Sequence, residues 1–432
     1  MKYPIFTNLK KTDIIKTFTS IFLFSYCIGF SSQLKAHEIT DSIKPSSSDS
    51  IKPIFNTEAS SFQEINQRDI KDVIKKIYKG ANHKPDSVRP RKLYITMLPA
   101  AGYTLQTGFA AAFTAGVAFY TEKERTNKIS NILTSLTYTQ YNQFLFPLAA
   151  NIWTDKNKYN IEIDYRFLKY PSTNYGIGSR TNETDAYTLN FSYIKLHQTV
   201  LRKIYKELYG GLGIYYDYFY NIKEVDPPAG VHTSFERYSN KKQEAAVGIA
   251  FKLLYDSRDN NINAHKGTYS SVIYRPNFIS LGSDKNWKSL QLEFRKYIPV
   301  GSKNTLALWS FNWFNIGNAK SPYLLLPSTG WDDQYNTARG YIQSRFRAKN
   351  MIYAEAEYRF GITGNGLLGG VVFANGQSFS RTLSNQLSIV SPGFGGGLRI
   401  KLNKYSNTNL CIDYGFGLNG SRGLFLNFGE VF

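Results

Sequence analysis

The stretch NIEIDYRFLKY, residues 160–170, has a period of two. Ile161, Ile163, Tyr165 and Phe167 share one face of an extended chain, and Glu162, Asp164 and Arg166 share the other. The pattern recurs in VGIAFKLLYD (247–256), where Val247, Ile249, Phe251, Leu253 and Tyr255 oppose Gly248, Ala250, Lys252 and Asp256. It recurs again in NLCIDYGFG (409–417), where Leu410, Ile412, Tyr414 and Phe416 oppose Cys411, Asp413 and Gly415. Strands of a soluble sandwich alternate too, but their polar face meets bulk water. Here the apolar face is rich in aromatics and the polar face holds charges of both signs close together. Segments of about ten residues with an apolar outside and a polar inside point to a transmembrane antiparallel β-barrel, an all-β fold. The pattern runs from about residue 91 to 432, which at roughly twenty residues per strand and turn allows about 16 strands.

Composition removes the competing classes. Mean hydropathy is −0.34 although 16% of residues are aromatic, and no run of about eighteen apolar residues offers a membrane helix. The nearest candidate, GFAAAFTAGVAFY (108–120), is too short. Of the two cysteines, Cys27 lies in the N-terminal leader, and Cys411 alone supports neither an intramolecular disulfide nor a cysteine-based zinc site. No cofactor or metal is expected. The formal charge of +20 includes five lysines and Asp13 within residues 1–36, leaving +16 beyond them. These charges are spread among aromatics along the chain, which favours an anionic lipid or lipopolysaccharide surface over nucleic acid as the partner.

The N-terminal region reads as three parts. Residues 1–36, with early lysines, the apolar run IFLFSYCIGF (21–30) and small Ala36, form a secretory signal peptide. Residues 37–60, carrying DSIKP twice around SSS, form a flexible polar linker. Residues 61–80 form a short amphipathic helix, with Ser61 and Glu64 as a capping box, Ile70, Val73, Ile74 and Ile77 at helical spacing, and Gly80 as the stop. That helix is expected on the barrel rim or membrane surface, with a lumen plug as the alternative.

Within 91–432, several motifs resemble the bacterial surface antigen family of outer-membrane barrels, the BamA/TamA superfamily. LLYDSRDNNINAHKGTY (253–269), with Asp256, Arg258, Asp259 and Gly267, resembles its strand-end motif. ARGY (338–341) is similar to its sixth-loop motif, and AEAEYRF (354–360) to the strand that follows. GFGGGLRI (393–400), IDYGFG (412–417) and FLNFGEVF (425–432) resemble its closing strands. LPAAGYTLQTGF (98–109) and STNYGIGSRT (172–181) resemble stretches of single-barrel members. Two positions depart from the family: Ala264 stands for a usual proline, and Asn375 for a usual aspartate.

The resemblance implies a long extracellular loop folded into the lumen, with Arg339 at its tip, Gly340 permitting the turn and Tyr341 packing on the wall. Alternation in NMIYAEAEYRF leaves Tyr353, Glu355, Glu357 and Arg359 facing the lumen. A buried guanidinium requires carboxylates, and the resemblance implies Glu357 as the first partner of Arg339, with Glu355 the reserve. Asp413 could compensate for Asn375, which can accept a hydrogen bond through its carbonyl but brings no charge. Such a clamp is expected to be softer than one with two carboxylates. Phe425, Phe428, Gly429 and Phe432 read as a C-terminal assembly signal, and Asp256, Arg258 and Asp259 as a turn-stabilising charge cluster.

The resemblance further implies a non-enzymatic protein of a Gram-negative outer membrane that assists insertion or translocation of proteins or lipids. Implied partners are outer-membrane lipids, the outer-membrane assembly machinery during biogenesis, and candidate periplasmic or lipoprotein partners. The chain before residue 91 leaves no room for the POTRA domains of full insertases. A passive or gated pore is the alternative. A membrane-embedded hydrolase is a third reading, but no Gly-x-Ser-x-Gly elbow or His-Glu-x-x-His is present, and His197 is expected at the rim.

Overall fold

The computed structural model describes residues 67–79, 93–104, 107–122, 127–228, 230, 232–333 and 335–432. The signal peptide, the linker and the Ser61/Glu64 capping box lie outside these residues. Among the described residues, seventeen strands form one antiparallel sheet. They are β1 (Leu93–Thr104), β2 (Gly108–Phe119), β3 (Ser130–Thr139), β4 (Phe144–Trp153), β5 (Tyr159–Lys169), β6 (Ser172–Asn174), β7 (Tyr187–Tyr205), β8 (Leu208–Val225) and β9 (Glu244–Asp256). They continue as β10 (Gly267–Asn277), β11 (Trp287–Val300), β12 (Asn304–Ile316), β13 (Asn350–Gly361), β14 (Leu368–Ser380), β15 (Leu387–Asn403), β16 (Thr408–Phe416) and β17 (Arg422–Phe428). Each long strand pairs with the next in sequence, and the three-residue β6 continues the β5 side of the β7 ladder. The small-residue stretch 108–120 supplies β2.

Alternation along the strands has one outcome throughout. On β9, Phe251, Leu253 and Tyr255 are exposed on the outside while Ala250, Lys252, Leu254 and Asp256 are buried. On β13, Ala354 and Ala356 face out and Tyr353, Glu355, Glu357 and Arg359 are buried inside. Exposed apolar side chains suit a wall whose outer solvent is lipid, and buried charges of both signs suit a lumen in which they can pair. Short turns close one end, including 301–303, 362–367 and 404–407, while the longest connection, 317–349, belongs to the other end and folds inward. Tyr323, Leu324, Leu325 and Leu326 from that connection pack with Leu189, Phe191 and Phe219 of the wall.

At the turn end sits helix α1 (Ile70–Lys79). Residues 67–69 are not helical, so the described helix begins later than the sequence reading placed it. The reason is local: the Asp69 amide donates to Asp72 Oδ2 (3.1 Å) and the Asp72 amide to Asp69 Oδ1 (3.2 Å), a reciprocal cap that fixes the first turn at Ile70. The helix rests on the rim. Arg68 N donates to the Asn365 carbonyl (2.9 Å), Lys404 Nζ to Asp72 Oδ2 (2.8 Å) and Lys71 Nζ to the Ile95 carbonyl (3.0 Å). Burial alone would lower the Lys404 pKa, but the hydrogen bond and charge of Asp72 raise it on balance. Ile74, Ile77 and Tyr78 stay exposed.

Replacing Asp69 by Ala should cost α1 about 1 kcal/mol, the usual worth of an N-cap. Amide hydrogen exchange at Val73–Ile77 should then quicken while β13 amides keep their protection. Equal loss in both would show that α1 unfolds only together with the barrel.

Candidate functional site: a buried arginine at the tip of the infolded loop

The tip of the 317–349 loop is built by turns before it reaches the wall. Asp332 Oδ1 accepts the amides of Asn336 (2.9 Å) and Thr337 (2.7 Å), and Gly330 N donates to Thr337 Oγ1 (3.0 Å). Ala338 and Gly340 then take positive φ of 63° and 114°. A side chain at Gly340 would lie 2.5 Å from the Phe416 carbonyl, and one at Gly415 would lie 2.6 Å from the Gly340 amide nitrogen. Two glycines facing each other thus let the tip touch the wall backbone to backbone. Tyr341 fixes the far side, its hydroxyl donating to the Pro392 carbonyl (2.6 Å) and accepting from Leu418 N (3.0 Å).

Arg339 is fully buried between three carboxylates. One guanidinium nitrogen meets Glu355 and Glu357, the latter at 2.5 Å, and the other meets Asp413. The guanidinium plane lies 3.7 Å from the Phe373 ring centroid. Burial works against the charge, but the three carboxylates hold the Arg339 pKa well above the ordinary arginine range. Glu355 and Glu357 arrive together because β13 follows the loop directly, with both on its lumenal face. Asp413 arrives by register, since β13 pairs with β14, β14 with β15 and β15 with β16.

Asn375 does not accept from Arg339. Its Nδ2 donates to the Arg339 main-chain carbonyl (3.0 Å) and towards Glu355 Oε2 (3.5 Å). It holds the tip backbone, and the second and third carboxylates come from Glu355 and Asp413. The guanidinium therefore has more charged partners than the sequence reading counted. Around them stand two further arginines that it did not assign. Arg359 pairs with Glu357 (2.6 Å), and Arg399 pairs with Asp413 (2.5 Å), Glu430 (2.9 Å) and Glu357 (3.5 Å).

A second attachment of the loop lies about halfway round the sheet, on β5 and β7. Lys195 Nζ bonds Asp333 (3.1 Å), and Arg166 donates to the Asp333 carbonyl and covers the Tyr335 ring at 4.3 Å. Asp164 holds both cations in place, 2.7 Å from Arg166 and 2.5 Å from Lys195. Trp331 packs between Tyr170 (5.7 Å) and Phe191 (6.1 Å). Sequence reading placed Asp164 and Arg166 on a polar face. It had no signal for their loop partner, which is 167 residues away.

The remaining expected positions are separate from this site. Asp256 pairs with Arg258 (2.9 Å), Asp259 Oδ1 accepts the His265 (3.0 Å) and Lys266 (3.2 Å) amides, and a side chain at Gly267 (φ 114°) would strike the Ser257 carbonyl at 2.4 Å. Together they tie off the β9–β10 turn, where Ala264 is buried. His197 is not at the rim: it lies within β7, 3.0 Å from Asp217 and stacked on Tyr215 at 3.9 Å. Alternation on a 19-residue strand carries it into the lumenal wall. The C-terminal positions also divide. Phe425 pairs in register with lumen-facing Asp413, Phe428 pairs with outward Leu410, and Phe432 is buried inside against Trp309. Phe432 leaves the strand because Gly429, at φ 96°, turns the chain off the sheet.

A lipid-facing barrel with an inward loop pinned by a buried arginine defines a class of outer-membrane protein. The sequence matches the model of the Omp85 superfamily domain over residues 104–420, and the chain belongs to that superfamily. No curated protein sequence matches it significantly. Among solved structures it is similar to CdiB from Escherichia coli (9% identity, TM-score 0.52, 79% of this chain and 64% of that one). It is also similar to CdiB from Acinetobacter baumannii (11% identity, TM-score 0.50, 79% and 60%). A third is BamA from Haemophilus ducreyi lacking POTRA domains 1-3 (14% identity, TM-score 0.48, 79% and 70%). The chain thus spans less than two thirds of either CdiB chain. The protein is an outer-membrane β-barrel of a Gram-negative cell.

Removing one partner of a buried ion cluster typically costs about 3–5 kcal/mol, because the remaining charges are left unpaired. Arg339→Ala should therefore abolish the heat-modifiable gel mobility of the folded barrel at temperatures the parent survives. Arg339→Lys should not restore it, because a single ammonium cannot span three carboxylates. A parent-like melting profile for Arg339→Ala would show that the cluster does not hold the barrel.

Proposed function

We propose that this protein works without catalysis as an outer-membrane device for insertion or translocation of proteins or lipids, with its lumen closed at rest by the 317–349 loop. Membership of the Omp85 superfamily supports a role of that kind at the family level. For this chain, the observation that carries the reading is Arg339, buried at the loop tip with three carboxylates. A passive pore needs an open lumen and gains nothing from a charged loop locked into it. A lock built from opposite charges holds firmly, yet it can be released as a unit when water or other partners replace its contacts. The second attachment at Lys195 and Arg166 implies that the tip and the arm of the loop must both let go before the lumen opens. Outer-membrane lipids contact the apolar wall, and periplasmic or lipoprotein partners would supply the client.

Single-channel recording in planar bilayers tests the closed lumen. The parent should show only small, rare openings. Arg339→Ala should add brief openings, and the triple variant Arg339→Ala, Arg166→Ala, Lys195→Ala should conduct steadily. Large steady conductance in the parent would favour the pore instead. Liposomes holding the parent should also speed membrane integration of an unfolded outer-membrane barrel chain, or transfer of lipid, over empty liposomes. Equal rates for both clients would remove the insertion and translocation reading.

A further inference from the structure

The last four residues of the sequence do something that strand periodicity does not predict. FLNFGEVF would continue as a strand, yet β17 stops at Phe428. Gly429 keeps one last sheet contact, its amide donating to the Asn409 carbonyl (2.8 Å), and its positive φ of 96° then turns the chain inward. From there Val431, Phe432 and the Glu430 side chain are enclosed. The Glu430 carboxylate takes Arg399 Nε (2.9 Å) and Asn409 Nδ2 (2.5 Å), with Arg359 Nε at 3.8 Å. The Val431 carbonyl accepts from Asn336 Nδ2 (2.8 Å), and Asn336 belongs to the infolded loop, three positions before Arg339. The Phe432 ring stacks on Trp309 at 5.0 Å, lies under the Arg359 guanidinium at 5.2 Å, and its carbonyl accepts from Arg359 Nη2 (3.0 Å).

We propose that Gly429–Phe432 is an internal latch that enters the lumen from the turn end, meets the infolded loop at Asn336, and steadies the Arg339 cluster from below. Two physical links carry this. One is direct: the Asn336 amide joins the tail backbone to the loop tip. The other is electrostatic. Arg359 and Arg399 contact Glu357, and Arg399 also contacts Asp413. Those two carboxylates hold Arg339 as well. Glu430 engages both arginines from the opposite side, so Glu357 and Asp413 remain available to Arg339. Without Glu430, two arginines would draw on the same carboxylates in competition with the loop tip. Phe432 supplies the apolar seat that keeps Glu430 in place, filling a space between Trp309 and Arg359 that water would otherwise enter. The inference rests on the reading of the loop as the lumen closure, and it assigns Glu430, Val431 and Phe432 a positioning role in that closure.

The test compares Phe432→Ala, Glu430→Gln, Asn336→Ala, Arg339→Ala and Leu426→Ala in the full chain, refolded in detergent and also expressed in membranes. Two quantities are read: the fraction that inserts, by heat-modifiable mobility, and the rate of protease cleavage within 317–349. Losing a contact of ordinary strength should raise the open fraction of the loop, and hence its cleavage rate, by about fivefold or more. The latch requires Phe432→Ala, Glu430→Gln and Asn336→Ala to insert and to be cleaved faster in the loop. Leu426→Ala, exposed on the outer face of β17, should leave loop cleavage unchanged. Faster cleavage of Arg339→Ala with parent-like cleavage of the three latch variants would overturn the latch and spare the closure. Parent-like cleavage of Arg339→Ala would overturn the closure itself. If Phe432→Ala fails to insert in membranes, the refolded protein and Asn336→Ala decide: parent-like loop cleavage in both would leave Phe432 as an assembly signal and remove the latch.

Discussion

A guanidinium buried in a barrel wall must be paid for with carboxylates, and most of this structure is arranged around that requirement. Arg339 cannot enter the lumen unless Glu355, Glu357 and Asp413 wait there, and those three cannot sit side by side unless a cation joins them. Each side makes the other tolerable. Glu355 and Glu357 come from β13 and Asp413 from β16, so the loop tip ties strands that are not neighbours in the sheet. The β13–β16 ladder and the infolded loop are therefore one unit, and disturbing the tip is felt across that wall.

The lumen is organised as facing layers of opposite charge. On one wall, Arg339, Arg359 and Arg399 alternate with Glu357, Asp413 and Glu430; on the other, Arg166 and Lys195 share Asp164 and reach Asp333 on the loop. Aromatic rings fill the gaps: Phe373 against Arg339, Tyr335 against Arg166, and Phe432 against Arg359. The rings exclude water and so strengthen the ion pairs beside them. The loop spans between the two walls, and that span is what separates a braced lumen from an open one.

The parts legible in the sequence were those set by short-range periodicity. Alternation in NMIYAEAEYRF places Glu355 and Glu357 inward, and because the segment adjoins Arg339 their meeting could be expected. The all-β class follows from the same signal. Asp413 is a different case: it lies 74 residues from Arg339, and only the registers of three successive strand pairs bring it under the tip. Asn375 showed its residue type but not its direction. An amide can donate as well as accept, and the nearby Arg339 carbonyl takes the Nδ2 proton. Lys195 and Asp333 carried no local signal, since each looks like an ordinary polar-face charge until the loop is folded against β7. The α1 start was missed because Asp69 and Asp72 form a capping box in aspartates only, without the serine and glutamate that mark the common form.

Phe432 shows where periodicity ends and chemistry decides. In FLNFGEVF, an uninterrupted strand would set Glu430 on the outward face with Leu426 and Phe428, leaving a carboxylate in lipid. The observed path instead brings the carboxylate inside to Arg399 at 2.9 Å, and it also withdraws Phe432 from lipid into a protein seat. The exchange is close to neutral for the apolar groups, because a ring packed on Trp309 and a ring in lipid both avoid water. What tips the balance is polar: the backbone beyond Gly429 has no described strand to complete a ladder with, and in the lumen its carbonyls find Asn336 and Arg359 instead. A tail that turns inward to satisfy its own backbone therefore reaches the loop tip from the side opposite to its entry. The same rule that bars an unpaired edge from lipid thus couples the end of the sheet to the arginine at its centre.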